Sequence, residues 1–403
     1  MANNLLTISK ITNEALMVLE NELTFTNRVE RSYDDQFAVT GAKIGNTLNV
    51  RRPGRFIGTS GPALNVEDFN ETSVPVTLST QFHVDTQFTT QDLALSLDMF
   101  SDRVLKPAIA AIANKIDYDG LLMAKNNTAN IVGTPGTAPT SLLTYLNAQA
   151  YLDSEGAPRD GRRSVIIEPF TGAAIVDSLK GLFMPQSAIS EQYRKGMMGR
   201  DSAGLDWYMD QNVAVQTFAS YTNSGTVDTT SSSFGISTGW ASSSTITKSG
   251  TFTPNVGDTF TIANVYAVNP QNRQSYGKLR NFVVTAISGS SVTVSPAIIT
   301  GGQFQNVVVT ATSATAALTP FNSSGASSPQ NILFHKNAFT LATADLELPD
   351  GVHFAGRASD KELGLSIRVV RQYTINNDSI PTRLDVLYGW APLYPELSCR
   401  VAS

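Results

Sequence analysis

Residues 221–330 differ in composition from the rest of the chain, and this difference limits the fold more than any other feature. About a third of these positions are Ser or Thr, and the charged residues among them are Asp228, Lys248, Asp258, Arg273, Lys278 and Arg280. Short runs of alternating apolar and polar residues predict strands over 259–268, 282–287, 291–299 and 307–318. Such strands, separated by turn signals such as Val256-Gly257-Asp258, are typical of a β-sandwich or barrel. Because a mixed pattern resumes at Asn331, we interpret 221–330 as a β-domain inserted into a discontinuous host.

The host alternates helical and strand patterns, which indicates an α+β body. A continuous apolar run over 163–169 predicts a buried strand between two helices. Further on, period-2 alternation predicts strands that close the chain. The predicted body elements are helices over 141–153 and 171–183, a short helix or turn over 337–344, and strands over 366–373, 382–388 and 393–401.

The segment before the body predicts two long helices with an excursion between them. An amphipathic helix over 7–23 has nothing local to bury its apolar stripe against, so it must dock on the body or on a neighbouring subunit. Residues 36–85 predict a two-stranded excursion with a charged tip, built from strands over 47–50 and 74–84. A helical stripe then continues from Thr89 to about Lys125, far longer than an average helix of about 11 or 12 residues. Pro107 should kink or restart this spine helix.

Charge and cysteine usage exclude several classes of function. Lys and Arg number 29 against 34 Asp and Glu, a net charge of −5 at pH 7. A protein that holds nucleic acid by its phosphates usually carries a basic surplus, so this class is disfavoured. The single Cys399 cannot form an internal disulfide or a cysteine-based zinc site. We find no signal-peptide pattern and no run of about 18 apolar residues, so we expect no membrane contact and a cytoplasm-like compartment.

Candidate catalytic and metal-binding residues are few. Gly235-Ile236-Ser237-Thr238-Gly239 matches the G-x-S-x-G pattern of serine hydrolases, which needs a strand-to-helix elbow to expose the serine. No helical pattern follows it, so a turn is the favoured interpretation and a hydrolase is the alternative. The histidines, His83, His335 and His353, lack the i,i+4 partner of a helical metal site. The sequence therefore predicts no catalytic, cofactor-binding or metal-ligating residue.

Two groups of charged residues are candidates for a functional role. Asp117 and Asp119 lie two apart on the spine helix and face different directions, so they cannot form an acid–base pair with each other. We expect them on the solvated side of the helix. Arg51, Arg52 and Arg55 cluster around a Pro-Gly turn, and such a cluster can meet phosphate or carboxylates. Because the whole chain is acidic, we predict that they form a subunit interface instead of a nucleic-acid site.

The order of these elements resembles the major capsid proteins of tailed double-stranded-DNA bacteriophages, which share the Hong Kong 97 fold. Within that group the chain is similar to the coat proteins of short-tailed Salmonella-type phages, which carry an inserted β-domain. The residues that carry the resemblance are strand and turn patterns spread along the chain. They are 257–270 and 277–284 in the insertion, 365–373, 383–390 and Arg400-Val401 at the end, and 195–199 with 203–206 in the body.

The resemblance implies an α+β Hong Kong 97-type fold with an inserted all-β barrel or sandwich. The implied segments are an N-terminal arm (1–35), an extended β-loop (36–85), a peripheral domain with the spine helix (86–140), the first part of the axial body (141–220), the inserted β-domain (221–330) and the axial and peripheral return with the C-terminal strands (331–403). The implied function is a major capsid protein that self-assembles into the icosahedral shell around a double-stranded DNA genome. It would need no cofactor.

The resemblance also implies partners and a location. The chain would assemble with itself into hexamers and pentamers, with a scaffolding protein during assembly, a portal protein at one vertex and a decoration protein as an optional addition. It would enclose DNA without sequence-specific binding, in a virion assembled in the host cytoplasm. The alternatives are a non-viral encapsulating shell protein of the same fold and a serine hydrolase with an accessory β-domain.

Overall fold

The computed structural model describes residues 23–32, 45–89, 106–178, 202–221, 225–250, 252–322, 324–360 and 365–403. The predicted helix over 7–23, apart from its last residue, and the first half of the predicted spine helix lie outside these ranges. The chain divides into two compact units. One comprises Met1–Val50, Pro75–Gly120 and Thr340–Ala391, and the other Arg51–Val74, Leu121–Phe339 and Pro392–Ser403.

The predicted excursion begins with a two-stranded sheet of β1 (Thr47–Arg52) and β2 (Thr72–Thr77). Pro75 lies in β2, where a sheet of two strands offers edges that tolerate a missing N–H. The single strand predicted over 74–84 is wrong, because the chain breaks after β2 and begins β3 (Thr80–Thr89). At the break, the Leu78 N–H donates to the Asn46 carbonyl at 2.8 Å. The continuous β pattern over 74–84 therefore contains parts of two strands, β2 and β3, that belong to different sheets.

The body carries helices α1 (Lys106–Asn127), α2 (Leu142–Ser154) and α3 (Pro169–Ser178). Ser141 caps α2 by accepting the Leu143 N–H, as expected of serine at a helix N-cap. The strands between and after these helices are β4 (Ile131–Gly133), β5 (Arg163–Ile167), β6 (Asp206–Met209) and β7 (Val215–Thr217). Every residue of β5 is buried, as its apolar run predicts. Pro107 is the second residue of α1, and residues 90–105, which precede this helix, lie outside the described ranges.

The insertion forms an antiparallel barrel. Its described strands are β8 (Thr226–Val227), β9 (Ser244–Ser249), β10 (Thr259–Val268), β11 (Ser275–Ser288), β12 (Ser291–Ser295), β13 (Val307–Val309) and β14 (Ala316–Pro320). They follow the order β11-β12-β9-β8-β14-β10-β13, and an additional pairing of β10 with β11 closes the sheet on itself. Where one strand was predicted over 307–318, the chain forms β13 and β14. Both pair with β10, which has a register break that separates its two partners.

The chain returns to the body through β15 (Ser327–His335), and β7 and β15 pair with each other. Thr217 lies opposite Ser327, and Ser220 bridges to Ser324. The barrel is thus entered and left through one antiparallel stalk. In the described part of the body, β15 lies in a mixed sheet whose order is β4, the last strand β20 (Ser398–Ala402), β15, β5 and β6. The core on this sheet includes Tyr145 of α2, Ile175 of α3 and Trp207 of β6.

The remaining strands are β16 (Phe339–Ala344), β17 (Phe354–Asp360), β18 (Leu365–Arg371), β19 (Ser379–Pro392) and β20 (Ser398–Ala402). The short helix or turn predicted over 337–344 is a 3-10 turn, Lys336–Ala338, followed by strand β16, which is buried over most of its length. The described part of the second large sheet has the order β16-β19-β18-β17, with β3 added to β19. The predicted strands over 366–373 and 382–388 are confirmed as β18 and the middle of β19.

Candidate functional site

The arginine cluster at the end of β1 is divided by strand geometry. Successive side chains of a strand point to opposite faces, so Arg51 and Arg52 separate. The Arg51 side chain is 78% exposed and lies 3.5 Å from the Glu71 carboxylate, whereas the Arg52 side chain is 10% exposed. The two neighbours therefore have different environments, although the same role was predicted for both.

Arg52 is held inside its own chain. Its Nη2 donates to Glu396 Oε1 at 2.5 Å, and Glu396 lies in the 3-10 turn Pro395–Leu397 just before β20. The guanidinium carbon lies 4.2 Å from the ring centroid of Tyr394 and 5.1 Å from that of Trp240. A charge-assisted hydrogen bond with aromatic rings on the guanidinium faces is a strong, directional arrangement for arginine. It fixes the base of the 53–71 loop to the C-terminal turn.

A second ion pair lies deeper in the same unit. Arg280, on β11, donates through Nη1 to Glu155, the C-cap residue that follows α2, and the two side chains are 3% and 5% exposed. Burial raises the pKa of the Glu155 carboxyl, and the charge of Arg280 opposes that increase. Burial has the opposite effect on a base: it lowers the pKa of Arg55, while the charge of Glu396 acts to raise that pKa. Arg55 thus lies within the electrostatic field of both glutamates.

The geometry of this charged group favours a mechanical role. Each carboxylate is matched by an arginine, and the pairs join the loop base, the end of α2, the barrel and the turn before β20. A buried pair of this kind is expensive to break, because removal of one partner leaves the other buried and uncompensated. Arg51 is the member of the predicted group that projects outward. The assignment of Arg51, Arg52 and Arg55 to a subunit interface stays a prediction.

The loop that follows the arginines exposes large apolar side chains. Leu64 is 90% exposed, Val66 79%, Phe69 60% and Phe56 59%. Exposed apolar residues that occur singly need no explanation, but a concentration within one loop marks a contact site. The sequence pattern does not predict this exposed apolar group, since it indicates only two strands and a charged tip for 36–85.

A second buried polar group lies where the barrel joins the body. The Asp258 carboxylate accepts hydrogen bonds from the entry segment and from its own turn: Gln216 Nε2 at 2.8 Å, Tyr221 OH at 2.7 Å, Ala219 N at 3.1 Å and Asn255 N at 2.9 Å. Arg400, fully buried, donates to the Gly257 carbonyl at 2.9 Å. Burial lowers the pKa of Lys125 to about 8, with Arg400 adding to that effect. Sequence reasoning missed these residues because their partners lie far apart in the chain.

The G-x-S-x-G segment lacks the geometry of a catalytic elbow. Ile236 bridges to Ile298, and the Ser237 N–H donates to the Ile298 carbonyl at 2.9 Å, so the segment is stitched to the barrel. In the described residues after it, the chain continues to strand β9 and not to a helix. Gly235, at φ 67°, lies where a Cβ would meet the Thr245 carbonyl. A turn packed closely against β9 explains why position 235 is a glycine.

Two of the three histidines, His83 and His335, have partners close by in the structure. His83 Nδ1 lies 2.9 Å from Asp85. The buried His335 places Nε2 3.1 Å from Asp160 and accepts the Asn337 N–H at Nδ1. Among the described residues, no group of three or more His, Cys, Asp or Glu side chains could hold a metal ion. In the same ranges, no helix combines the length and the apolar character needed to cross a bilayer.

The expectation that Asp117 and Asp119 lie on a solvated helix side is wrong. Asp117 is 1% exposed and accepts the backbone N–H groups of Thr24, Phe25 and Thr26 at 2.6, 3.2 and 3.1 Å. Asp119 accepts from Lys115 and from the Tyr388 hydroxyl, at 2.6 and 2.7 Å. A carboxylate is buried when backbone donors satisfy it, and these donors lie some 90 positions away in sequence.

Comparison with known proteins gives one family and several structures. The model of the family described as "P22 coat protein - gene protein 5" matches residues 1–399. No curated protein matches. Among solved structures, the chain is similar to one from Mycobacterium phage Che8, at 11% identity and TM-score 0.48, covering 94% of this chain and 90% of that one. It is also similar to the capsid of Cyanophage P-SCSP1u (12%, 0.44, 93% and 88%) and the mature capsid of bacteriophage PhiM1 (10%, 0.45, 89% and 82%). Because all three TM-scores are below 0.5, the family match over residues 1–399 is what identifies the family.

Proposed function

Because the chain belongs to the P22 coat protein family, we propose a scheme for how its parts serve a bacteriophage capsid. The protein is a major capsid protein, a structural protein whose copies form an icosahedral shell, with the Hong Kong 97-type fold that the sequence predicted. The observation that carries this conclusion is the match of one coat protein family over residues 1–399. It is supported by the closed β-barrel, which stands where that family's insertion was expected.

We assign the following partners as part of the proposal. Copies associate into hexamers and pentamers with a scaffolding protein during assembly and a portal protein at one vertex, and a decoration protein is an optional outer partner. Assembly takes place in the host cytoplasm. The net charge of −5 supports a shell that encloses double-stranded DNA without gripping it, because tight binding to phosphates needs clustered Lys and Arg. The protein acts without catalytic residues and without a cofactor.

The structural role of each segment of the chain is also a proposal. The arm (1–35) and the loop (36–85) reach neighbouring copies, 86–140 is the peripheral domain with the spine helix, and 141–220 is the first part of the axial body. Residues 221–330 are the inserted domain, and 331–403 complete the axial and peripheral regions with the C-terminal strands. Support comes from the exposed apolar side chains of the loop, which need cover. Arg51, with its exposed side chain, would meet a carboxylate of a neighbour, while Arg52 and Arg55 secure the loop that carries it.

Electron microscopy of the purified chain, produced with the scaffolding protein from the same genome, tests the proposal. Closed shells or capsomers are expected. Dispersed monomers under all conditions would overturn it. A non-viral shell of the same fold is separated by its contents and its neighbours: a phage capsid gene lies beside portal and terminase genes, and its shells fill with genomic DNA.

A further inference from the structure

The loop between β1 and β2 is closed on itself. Glu67 Oε2 accepts the Ile57 N–H at 2.6 Å, which joins the outgoing arm of the loop to the returning arm. The rings of Phe56 and Phe69 stack with centroids 5.8 Å apart. Gly54 leaves room for this stack, since a Cβ there would lie 2.5 Å from the Phe69 ring. These contacts give the loop a definite shape without giving it a core.

Two barrel side chains, among the described residues, donate to the backbone of this loop. Arg273 Nη2 donates to the Phe56 carbonyl at 2.8 Å, and Gln303 Nε2 donates to the Asp68 carbonyl at 2.7 Å. One bond therefore reaches each arm. Between the loop and the barrel lies a cavity of about 690 Å³, lined by residues such as Thr59, Asn70, Trp240 and Phe304. The hydrogen bonds of Arg273 and Gln303, which we call the struts, thus hold the loop at a distance from the barrel, and the loop does not pack against it.

The backbone of Arg273 supports a functional role for its side chain. Arg273 ends the turn between β10 and β11 with a φ of 56°, in the left-handed region that glycine and asparagine adopt more readily. Its Nε is buried without a hydrogen-bond partner. A strained residue persists where the surrounding structure holds it, and such positions concentrate at functional sites. Here the strain accompanies a guanidinium that reaches the loop.

The struts leave the apolar side chains of the loop facing outward. Arg273 and Gln303 bind backbone carbonyls of the loop, and the side chains of Leu64 and Val66 are 90% and 79% exposed. A free loop would lose conformational entropy on docking, whereas a loop already held in shape loses less. We propose that the inserted barrel braces the loop of its own chain, so that Phe56, Leu64, Val66 and Phe69 are presented in a preset arrangement to a second copy. This inference rests on the proposed function, because the second copy is the occupant.

Hydrogen–deuterium exchange on the full-length monomer tests the brace. We expect amides 56–70 of the double variant Arg273→Gly, Gln303→Ala to exchange at least about tenfold faster than in the wild type, as the loss of two hydrogen bonds predicts. Arg273→Gly relieves the left-handed strain of the turn, so the barrel should remain at least as stable. Gln271→Ala, on the same turn but outside the contacts with the loop, is the matched control and should leave exchange at 56–70 unchanged.

The same variants separate bracing from inhibition. With scaffolding protein present, the double variant should assemble more slowly and need a higher subunit concentration than the wild type or Gln271→Ala. Unchanged exchange at 56–70 would overturn the brace. Faster exchange together with faster assembly would also overturn it, because the contact would then be holding the loop away from its partner. If the wild type itself forms no shells, the proposed function fails, whatever the exchange result.

Discussion

The barrel and the loop are two excursions from the same unit, and they keep their shapes by opposite means. The barrel buries its own apolar residues, among them the fully buried rings of Phe234, Phe252, Phe260 and Phe282. The loop buries none of its large apolar side chains and is held by ion pairs and struts. Burial of apolar area stabilises wherever it occurs, whereas a hydrogen bond contributes only a modest net amount. A segment that must stay available for a partner is therefore held by the weaker kind of interaction.

The sharpest test of this contrast replaces one phenylalanine in each excursion. Phe260→Ala should lower the free energy of unfolding by about 3–5 kcal/mol, because it leaves a cavity between Phe252 and Phe282. Phe56→Ala, at a ring that is 59% exposed, should lower it by less than about 1 kcal/mol. Urea unfolding of the monomeric variants measures both. Equal losses would mean that the loop carries a core of its own.

The next largest effect is expected at the base of the loop. Arg52→Met should lower the free energy of unfolding by about 1–3 kcal/mol, since it removes a charge-assisted bond and leaves Glu396 largely buried. Arg51→Met is the matched control, and its exposed pair with Glu71 should contribute no more than about 0.5 kcal/mol. A double-mutant cycle with Glu396→Gln should return a coupling of about 1–2 kcal/mol. A coupling near zero would show that the pair of Arg52 with Glu396 does not stabilise the base of the loop.

The junction of the barrel with the body is expected to respond to pH. Burial lowers the pKa of Lys125 from 10.5 to about 8, so between these values the unfolded chain binds more protons than the folded one. The free energy of unfolding of the wild type should therefore rise as the pH rises from about 8 to about 10. Lys125→Met should remove that slope and gain about 1–3 kcal/mol at pH 7, where the folded protein bears the buried charge.

Denaturant unfolding at several pH values between about 8 and about 10 measures how Lys125 changes the free energy of unfolding. Lys248→Met, on barrel strand β9, serves as the control for the loss of one lysine charge and should retain the slope. A wild-type curve that stays flat or falls between pH 8 and 10 would contradict the assignment.

The smallest effect on folding is expected in the loop tip. Leu64→Ser with Val66→Ser should change the free energy of unfolding by no more than about 0.5 kcal/mol, because both side chains already face solvent. Shell yield with scaffolding protein should nonetheless fall, since the exposed apolar surface of the loop would be lost. Sedimentation separates shells from free subunits. Full yield from this variant would show that the loop tip is not a copy-to-copy contact.

Sequence patterns predicted the two excursions unequally, and the reason is physical. Alternation and turn residues revealed the barrel, because its strands bury one face each; β10 matches the predicted strand over 259–268 at both ends. The loop has no periodicity, since its shape depends on side chains from distant parts of the chain. Arg52 shows the same limit. Its neighbour Arg51 is chemically identical, and only the alternating faces of β1 decide which of them meets Glu396.

Buried polar groups were beyond prediction for a related reason. Asp117 is satisfied by N–H groups at 24–26, and Asp258 by donors at 216–221 as well as by its own turn. From sequence, an aspartate on a helix or in a turn is expected to be solvated. The exception arises only when the fold brings backbone donors to it, and this is tertiary information. Resemblance to a family can indicate the fold, but it does not locate such contacts.

Because the chain enters and leaves the barrel through the antiparallel stalk of β7 and β15, the barrel could be removed or replaced as a unit. Because Ser220 bridges to Ser324, the ends of the excised segment would already be neighbours, and a short turn could join them without moving the sheet beneath. The same two positions could accept a foreign domain with adjacent termini. In a closed particle, every subunit would then carry that guest at an equivalent place, at a density set by the lattice.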